Sequence, residues 1–411
     1  MSTRLKSPYL TYISDLVHPI VAGLISVIVN YGGTFILVFQ AARVAGLTPD
    51  LTASWVWSVS IGVGVTGVIL SWRYREPIIT AWSTPAAAFL VTALGTTPYA
   101  EAVGAYIVSA AAFVLLGLSG GFERIVRLIP PGIASGLLAG ILLQFGIGAF
   151  AGVTVDPLLV GLLIVAYVLL KRFSARYAVV GILGLGLGLL VMQGRVDLAG
   201  LQLQFAAPVL TMPAFSLNSL LSVALPLFLI TLTGQYMPGM LVLRSDGFRT
   251  SANPILAVTG FGSLIMAPFG SHAFNIAAIT AAIATGREAH EDPSRRWIAG
   301  IAAGFFYVLV GVFGVTLAAV FMAFPSTFIT ALAGLALLGT IGNSLAAALA
   351  NPVTREAALI TFLASAANIN LLGIGGAFWG LVIGLVAYVC LNRRLLTRDR
   401  SIAKMKQETA K

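Results

Sequence analysis

Trp82-Ser83-Thr84-Pro85 sets an indole and two hydroxyls immediately before a proline, inside an apolar segment. Pro85 has a fixed φ and no N–H, which suits the first turn of a helix. Thr84 before it is pushed out of the α region and can cap the free amides. The chemistry on offer is binding: a helix N-terminus gathers free N–H groups and about half an elementary positive charge, which favours an anion. The spacing predicts a helix from Pro85 to Leu94, ten residues long. At 1.5 Å per residue that is about 15 Å, roughly half of a hydrocarbon core of about 30 Å. The extended backbone before such a half-helix must be covered by protein or line a cavity.

A second break follows the same plan. Pro268-Phe269-Gly270-Ser271-His272 precedes Asn275, and a half-helix is expected from Ile276 to Thr285. Two half-helix N-termini that face each other make a candidate anion cradle, with Ser83 and Thr84 as hydroxyl donors or caps and Asn275 as a ligand or plain N-cap. Gln235, among Thr233, Gly234, Pro238 and Gly239, is a polar amide at bilayer depth, which is costly unless used. Trp82 and Phe274 can face an aromatic ring or simply pack. Asn30 and Tyr31, beside Gly32-Gly33, can line the cavity or hydrogen-bond between helices. Proton-coupling candidates are His272, whose ordinary pKa of about 6.5 lets a proton come and go, and His18 and Asp15 near one end of the first span; interfacial or structural roles are the competing reading. All fourteen acidic residues fall at or outside span ends. The site also lacks a buried Arg or Lys, so dipoles and neutral donors are expected to hold an anion's charge.

The elements that must position these residues are membrane spans. The 411 residues are 58% hydrophobic and 9% charged, with a mean hydropathy of +0.98, too little charge for an ordinary soluble domain. The formal charge of +10 sits in short clusters between apolar runs, which argues against nucleic acid and for membrane-orienting charge. A single cysteine, Cys390, excludes an intramolecular disulfide and offers no metal-ligand spacing. The first apolar run is long enough to stay as a span, so no cleavable signal peptide is expected. Fourteen apolar segments are predicted: 16–40, 52–72, 79–94, 98–118, 131–150, 156–171 and 177–193, then 217–240, 253–267, 271–285, 297–321, 326–346, 356–372 and 374–392. With both termini cytoplasmic, only Arg43 and Arg195 of the 24 Lys and Arg lie outside. A twelve-span count that merges the short broken segments is the rival. Two halves of seven spans, an odd number, must run in opposite orientation, the inverted-repeat plan of secondary transporters.

Ala81-Trp82-Ser83-Thr84-Pro85, Leu225-Pro226-Leu227-Phe228-Leu229, Gln235 with Pro238-Gly239, Ala277-Ala278-Ile279-Thr280-Ala281-Ala282-Ile283, and Gly373-Ile374-Gly375 before Ala377-Phe378-Trp379-Gly380 resemble the bacterial benzoate/proton symporter family, often called BenE. The resemblance covers nearly the whole chain. That family is similar in architecture to uracil permeases and sulfate-permease-type anion transporters. This implies an all-α integral membrane protein of fourteen spans in two inverted repeats of seven, with half-helices in spans 3 and 10. It further implies a core domain from residues 1–128 and 217–321, a gate domain from 129–193 and 322–392, a linker at 194–216 and a cytoplasmic tail at 393–411. Uracil permeases place carboxylates where this chain has Gln235 and Asn275, and a site without them does not repel a carboxylate ligand. One departure is Ala86, where Gly is expected after the proline and where a methyl can narrow the site.

The resemblance implies a bacterial inner-membrane transporter that imports an aromatic carboxylate, with benzoate as the expected substrate, together with protons. Expected substrate-binding residues are Trp82, Ser83, Thr84, Pro85, Gln235, Phe274, Asn275, Asn30 and Tyr31. No cofactor, metal or nucleic acid is expected; membrane lipids are, and a homodimer is the assembly kept open. A nucleobase permease and an uncoupled anion channel or facilitator are the nearer alternatives. A remote one is an intramembrane serine protease, from Gly117-Leu118-Ser119-Gly120, which places its Ser at a span end without a deep His partner. The Gly181–Gly188 run reads as close helix packing, since no Lys-Ser/Thr follows it.

Overall fold

The computed structural model describes residues 8–391 apart from 129, 174–177, 197–201, 279, 288, 370 and 372–375. The basic tail from Arg393 and the Gly373-Ile374-Gly375 motif lie outside the described residues, as does the side chain of Asp15. The chain is almost wholly helical. Its first half runs α1 (Pro8–Thr34), α2 (Ile36–Val44), α3 (Pro49–Tyr74), β1 (Thr80–Trp82), α4 (Thr84–Ala93), α5 (Tyr99–Ser119), α6 (Phe122–Leu128), α7 (Pro131–Val155), α8 (Pro157–Phe173) and α9 (Ala178–Met192). The second half runs α10 (Leu217–Ser219), α11 (Leu225–Thr231), α12 (Met237–Ser245), α13 (Ala252–Met266), β2 (Phe274–Ile276), α14 (Ala281–Thr285), α15 (Trp297–Val312), α16 (Gly314–Met322), α17 (Ser326–Leu349), α18 (Arg355–Ala366) and α19 (Gly376–Leu391). Among the described residues, eight helices are long and apolar enough to cross a membrane.

Long helices pair across the two halves: α3 packs on α15, α5 on α13, and α7 on α17 and α18. In a membrane such pairs associate by close van der Waals fit, which favours small residues at the contact. At the α3–α15 crossing a Cβ on Gly64 would lie 2.6 Å from the Gly304 carbonyl, so the two backbones come together only without one.

The two breaks meet at the centre. β1 and β2 pair antiparallel, with Thr80 opposite Ile276, Ala81 opposite Asn275 and Trp82 opposite Phe274. The ladder continues at both ends, where Ser83 N–H donates to the Ala273 carbonyl (2.9 Å) and Ala277 N–H to the Ile79 carbonyl (2.8 Å). Each break thereby satisfies the backbone groups of the other, which is how non-helical chain is tolerated at membrane depth. This pairing corrects the second half-helix. Residues 274–276 are strand, with the Phe274 N–H donating to the Ser263 hydroxyl at 3.2 Å, and helix begins only at Ala281 and lasts five residues. Asn275 is therefore not an N-cap. The first half-helix is close to expectation at Thr84–Ala93, but its cap is Ser83, whose hydroxyl accepts from Ala86 N–H at 3.3 Å, and not Thr84.

The span from Leu217 to Ser245 carries two π-helical stretches, Leu220–Ala224 and Leu232–Tyr236. Pro226 and Pro238 follow them. Each proline lacks the N–H its helix would use, and the Leu225 and Met237 amides bond back to Leu220 and Leu232 instead. The interval after α9 is more than a spacer. Between 202 and 216 it is extended and tied down, with Val209 N–H donating to Ser54 Oγ (2.9 Å) and Thr211 N–H to the Pro268 carbonyl (2.7 Å). Gly186 of α9 packs against Phe328, whereas Gly184 and Gly188 face open space. Close packing thus explains part of that glycine run. The Ser119 hydroxyl donates to the Leu116 carbonyl of its own helix, a helix-end bond with no nucleophile chemistry in it.

Candidate functional site

A cavity of 490 Å³ opens beside the crossed strands. One wall comes from the broken segments and their neighbours: Asn30 and Thr34 of α1, Trp82 of β1, Thr84 of α4, Gln235 and Thr280. The facing wall comes from α8, α9 and α17, with Tyr167, Lys171, Val180, Thr340 and Asn343.

The strand pairing aims these side chains. Alternate residues of a strand point to opposite faces. Trp82 is fully buried and borders the cavity. It sits among Phe35, Tyr31 and Tyr307, at ring-centroid distances of 4.6, 5.0 and 6.1 Å. Its indole N–H has no hydrogen-bond partner among the described residues. A buried donor without a partner costs about 1–3 kcal/mol, and this N–H is itself closed off from solvent. Thr84, freed from capping, exchanges a hydroxyl contact with Thr34 at 3.2 Å. Ser83 is spent on structure, accepting from Ala86 N–H and from the Thr231 hydroxyl (2.9 Å). Asn275 is fully buried. In the amide orientation that satisfies both ends, its nitrogen donates to the Ile276 carbonyl (2.8 Å) and its oxygen accepts from Ser83 N–H (3.2 Å).

Gln235 reaches the cavity from the second π stretch. Glycines on either side of it allow the approach: a Cβ on Gly234 would stand 3.2 Å from Pro85, and one on Gly239 would stand 2.8 Å from the Ala277 carbonyl. The extra residue in a π turn rotates the side chains that follow, which is one reason such turns occur at functional sites.

A family model described as benzoate membrane transport protein matches residues 15–390. The chain belongs to this family. It is 42% identical over 371 residues to the benzoate membrane transport protein of Acinetobacter baylyi, covering 90% of this chain and 94% of that protein. It is also 42% identical over 382 residues to inner membrane protein YdcO of Escherichia coli K12, covering 93% of this chain and 97% of that one. Among solved structures, SLC26A9 superposes with a TM-score of 0.64 at 12% identity, covering 93% of this chain and 67% of that one. The transmembrane domain of the cyanobacterial bicarbonate transporter BicA gives 0.60 at 14% identity, with 91% and 97% covered. At that identity the likeness establishes the fold alone. Family and fold together make the chain a multi-pass membrane transport protein, and the relatives whose names state a role are transporters, not enzymes.

Within this family frame, Asn30, Trp82, Thr84 and Gln235 stand together around the cavity. Other expected ligands stand behind them. The Pro85 ring packs toward Gly234. Tyr31 pairs with the Ser60 hydroxyl at 2.5 Å and meets the Trp82 ring edge-on. Phe274 is fully buried, held between Gly62 and Gly262 rather than against the cavity. Asn30 is both wall and interhelical link, since its amide donates to the Tyr307 hydroxyl at 2.7 Å. Ala86 is fully buried in the first turn of α4. His272 is also fully buried, its Nδ1 accepting from the Trp55 indole N–H at 3.1 Å. The neutral ring therefore carries its proton on Nε2, and the Ser83 backbone is a further polar group beside it. His18 is exposed on α1, away from the cavity.

The facing wall went unseen in the sequence. Thr340 and Asn343 are spaced by three, one face of a helix, but polar residues in α17 look like any interhelical hydrogen bond. Lys171 also lines the cavity, an exposed cation where the expectation concerned buried ones. In sequence it reads only as the charged end of a span.

Proposed function

We propose that this chain is a secondary active transporter that imports an aromatic carboxylate, benzoate first, coupled to protons by alternating access. The carrying observation is the cavity wall: the Trp82 ring, amides from Asn30 and Gln235, hydroxyls from Thr34 and Thr84, and no carboxylate among the lining residues. Such a wall offers hydrogen bonds to a carboxylate and an apolar flank to a ring, and repels neither. The relative named for benzoate transport supports the substrate. A nucleobase permease is disfavoured because Gln235 and Asn275 stand where that chemistry uses carboxylates.

The same reading takes the chain as fourteen spans in two inverted repeats, both termini cytoplasmic, in a bacterial inner membrane, as the name of the Escherichia coli relative suggests. The charge asymmetry supports the orientation, and the cross-packing of α3 on α15 and α5 on α13 supports a core from residues 1–128 and 217–321. The gate from 129–193 and 322–392 then supplies the facing wall. In this reading Lys171, in the last turn of α8, lies toward the cytoplasmic side.

Accumulating a monovalent anion against an inside-negative potential costs about 2.3 kcal/mol per 100 mV, so a cation must accompany it. His272 is the proposed carrier: protonating Nδ1 forces the Trp55 N–H to let go, and the ring lies beside Ser83, the cap of α4. Asp15 and His18 are the reserve candidates. The test is uptake of radiolabelled benzoate into proteoliposomes under an imposed pH gradient, with benzamide, uracil and sulfate as competitors. Benzoate alone should compete strongly, and His272→Ala should bind benzoate yet lose pH-driven accumulation. Equal competition by benzamide overturns the anion reading. Conductance without a pH requirement makes the protein a facilitator, and unchanged accumulation in His272→Ala removes that residue from the proton route.

A further inference from the structure

Lys171 is the one cationic side chain among the residues lining the 490 Å³ cavity, and it stands on the wall opposite Trp82, Thr84 and Gln235. Its ammonium donates to the Tyr167 hydroxyl at 3.0 Å and lies 5.1 Å from the centre of the Tyr167 ring, which also lines the cavity. The i, i+4 spacing puts both on one face of α8. No carboxylate lies within ion-pairing distance of Lys171 among the described residues. Arg172 is its neighbour in the last turn of α8 but does not line the cavity. A cation there for helix-end electrostatics alone needs no cavity face and no phenol to hold it in place.

We infer that Lys171, steered by Tyr167, is the counter-cation for the substrate's carboxylate in the cavity-open state, a specificity-determining residue carried by the wall opposite the strand crossing. This deepens the reading of the site as one for aromatic carboxylates and rests on it. The strand side supplies neutral donors, which orient an anion but do not balance its charge. A single ammonium in a low-dielectric cleft concentrates anions and raises their association rate. Because the charge sits on the facing wall, it also gives an anion, and not a neutral isostere, a contact to both walls at once.

The experiment is stopped-flow and equilibrium binding of benzoate and benzamide to the purified full-length protein across a salt series, for wild type, Lys171→Gln and Lys171→Arg. Lys171 is exposed to the cavity side, so the substitutions do not disturb a packed core. In Lys171→Gln, benzoate association should slow roughly tenfold at low salt and the salt dependence should flatten. Benzamide should be unaffected, and Lys171→Arg should recover most of the rate. Wild-type benzoate kinetics in Lys171→Gln at every salt concentration would overturn this role and leave the substrate reading intact. An equal loss for benzoate and benzamide would also overturn it, marking Lys171 as structural. Absence of benzoate binding in the wild type would overturn both together.

Discussion

Gln235→Glu tests whether the cavity is built for a carboxylate by omission of its own. The change is nearly isosteric and places one negative charge on the wall. A cavity of 490 Å³ has the volume of a sphere about 5 Å in radius, so a bound carboxylate lies roughly 5 Å from the Gln235 position. Two like charges at about 5 Å repel by about 3 kcal/mol at an effective dielectric of about 20, weakening benzoate binding on the order of a hundredfold. The sign of the pH effect follows. The penalty is present where the introduced carboxyl is ionised and fades as pH falls and that group takes a proton, so benzoate affinity in the variant should recover on acidification. Isothermal titration of the purified variant with benzoate and benzamide at neutral and mildly acidic pH reads this directly. Benzamide, uncharged, should bind within a few-fold of wild type. Unaltered benzoate affinity at neutral pH would refute the placement of the carboxylate near Gln235, and an equal loss of benzamide would show that the substitution deformed the site.

Two further outcomes follow from packing and charge. A Cβ added at Gly62 would stand 2.5 Å from the Phe274 ring, so Gly62→Ala should cost about 1–3 kcal/mol by overpacking; the melting temperature in detergent should fall and recover when Phe274→Leu is added. At the turn between α7 and α8, outside both helices, the Arg195 guanidinium hydrogen-bonded to Asp156 holds that carboxyl below the usual carboxylate range. A depressed value stabilises the fold above the unfolded value of about 3.9 and is lost as pH falls through the folded one. Asp156→Asn should therefore cost up to about 1 kcal/mol near neutrality and melt with less dependence on pH below about 4, less so in high salt; a variant melting curve with the wild-type pH dependence would count against the pair.

The residues whose position follows from local physical chemistry were legible without a structure. Pro85 after two small hydroxyl residues forces a helix start, and the start falls at Thr84. Asn30, Trp82, Thr84 and Gln235 announced themselves because polar or bulky groups among apolar residues at bilayer depth are costly unless used, and they share a cavity. Local rules failed where a distant partner decided the conformation. Asn275 looks like an N-cap, yet residues 274–276 are extended because β1, nearly two hundred residues earlier in the chain, offers them a ladder. Ser83 took the cap that Thr84 seemed placed to make, since the Thr231 hydroxyl also fixes Ser83 from another span. Phe274 turned away from the cavity because two glycines, Gly62 and Gly262, open a slot for it on the other side.

What the sequence by itself determined is the membrane, the break at Thr84-Pro85 and the family, because hydropathy, charge asymmetry and proline geometry act within a few residues and motifs are read in order. What only the tertiary structure decided is which groups meet across the cavity. Lys171 and Tyr167 lie on α8 and Gln235 on a π turn after a different set of spans. Their meeting depends on how whole helices pack, and no spacing within either segment encodes it.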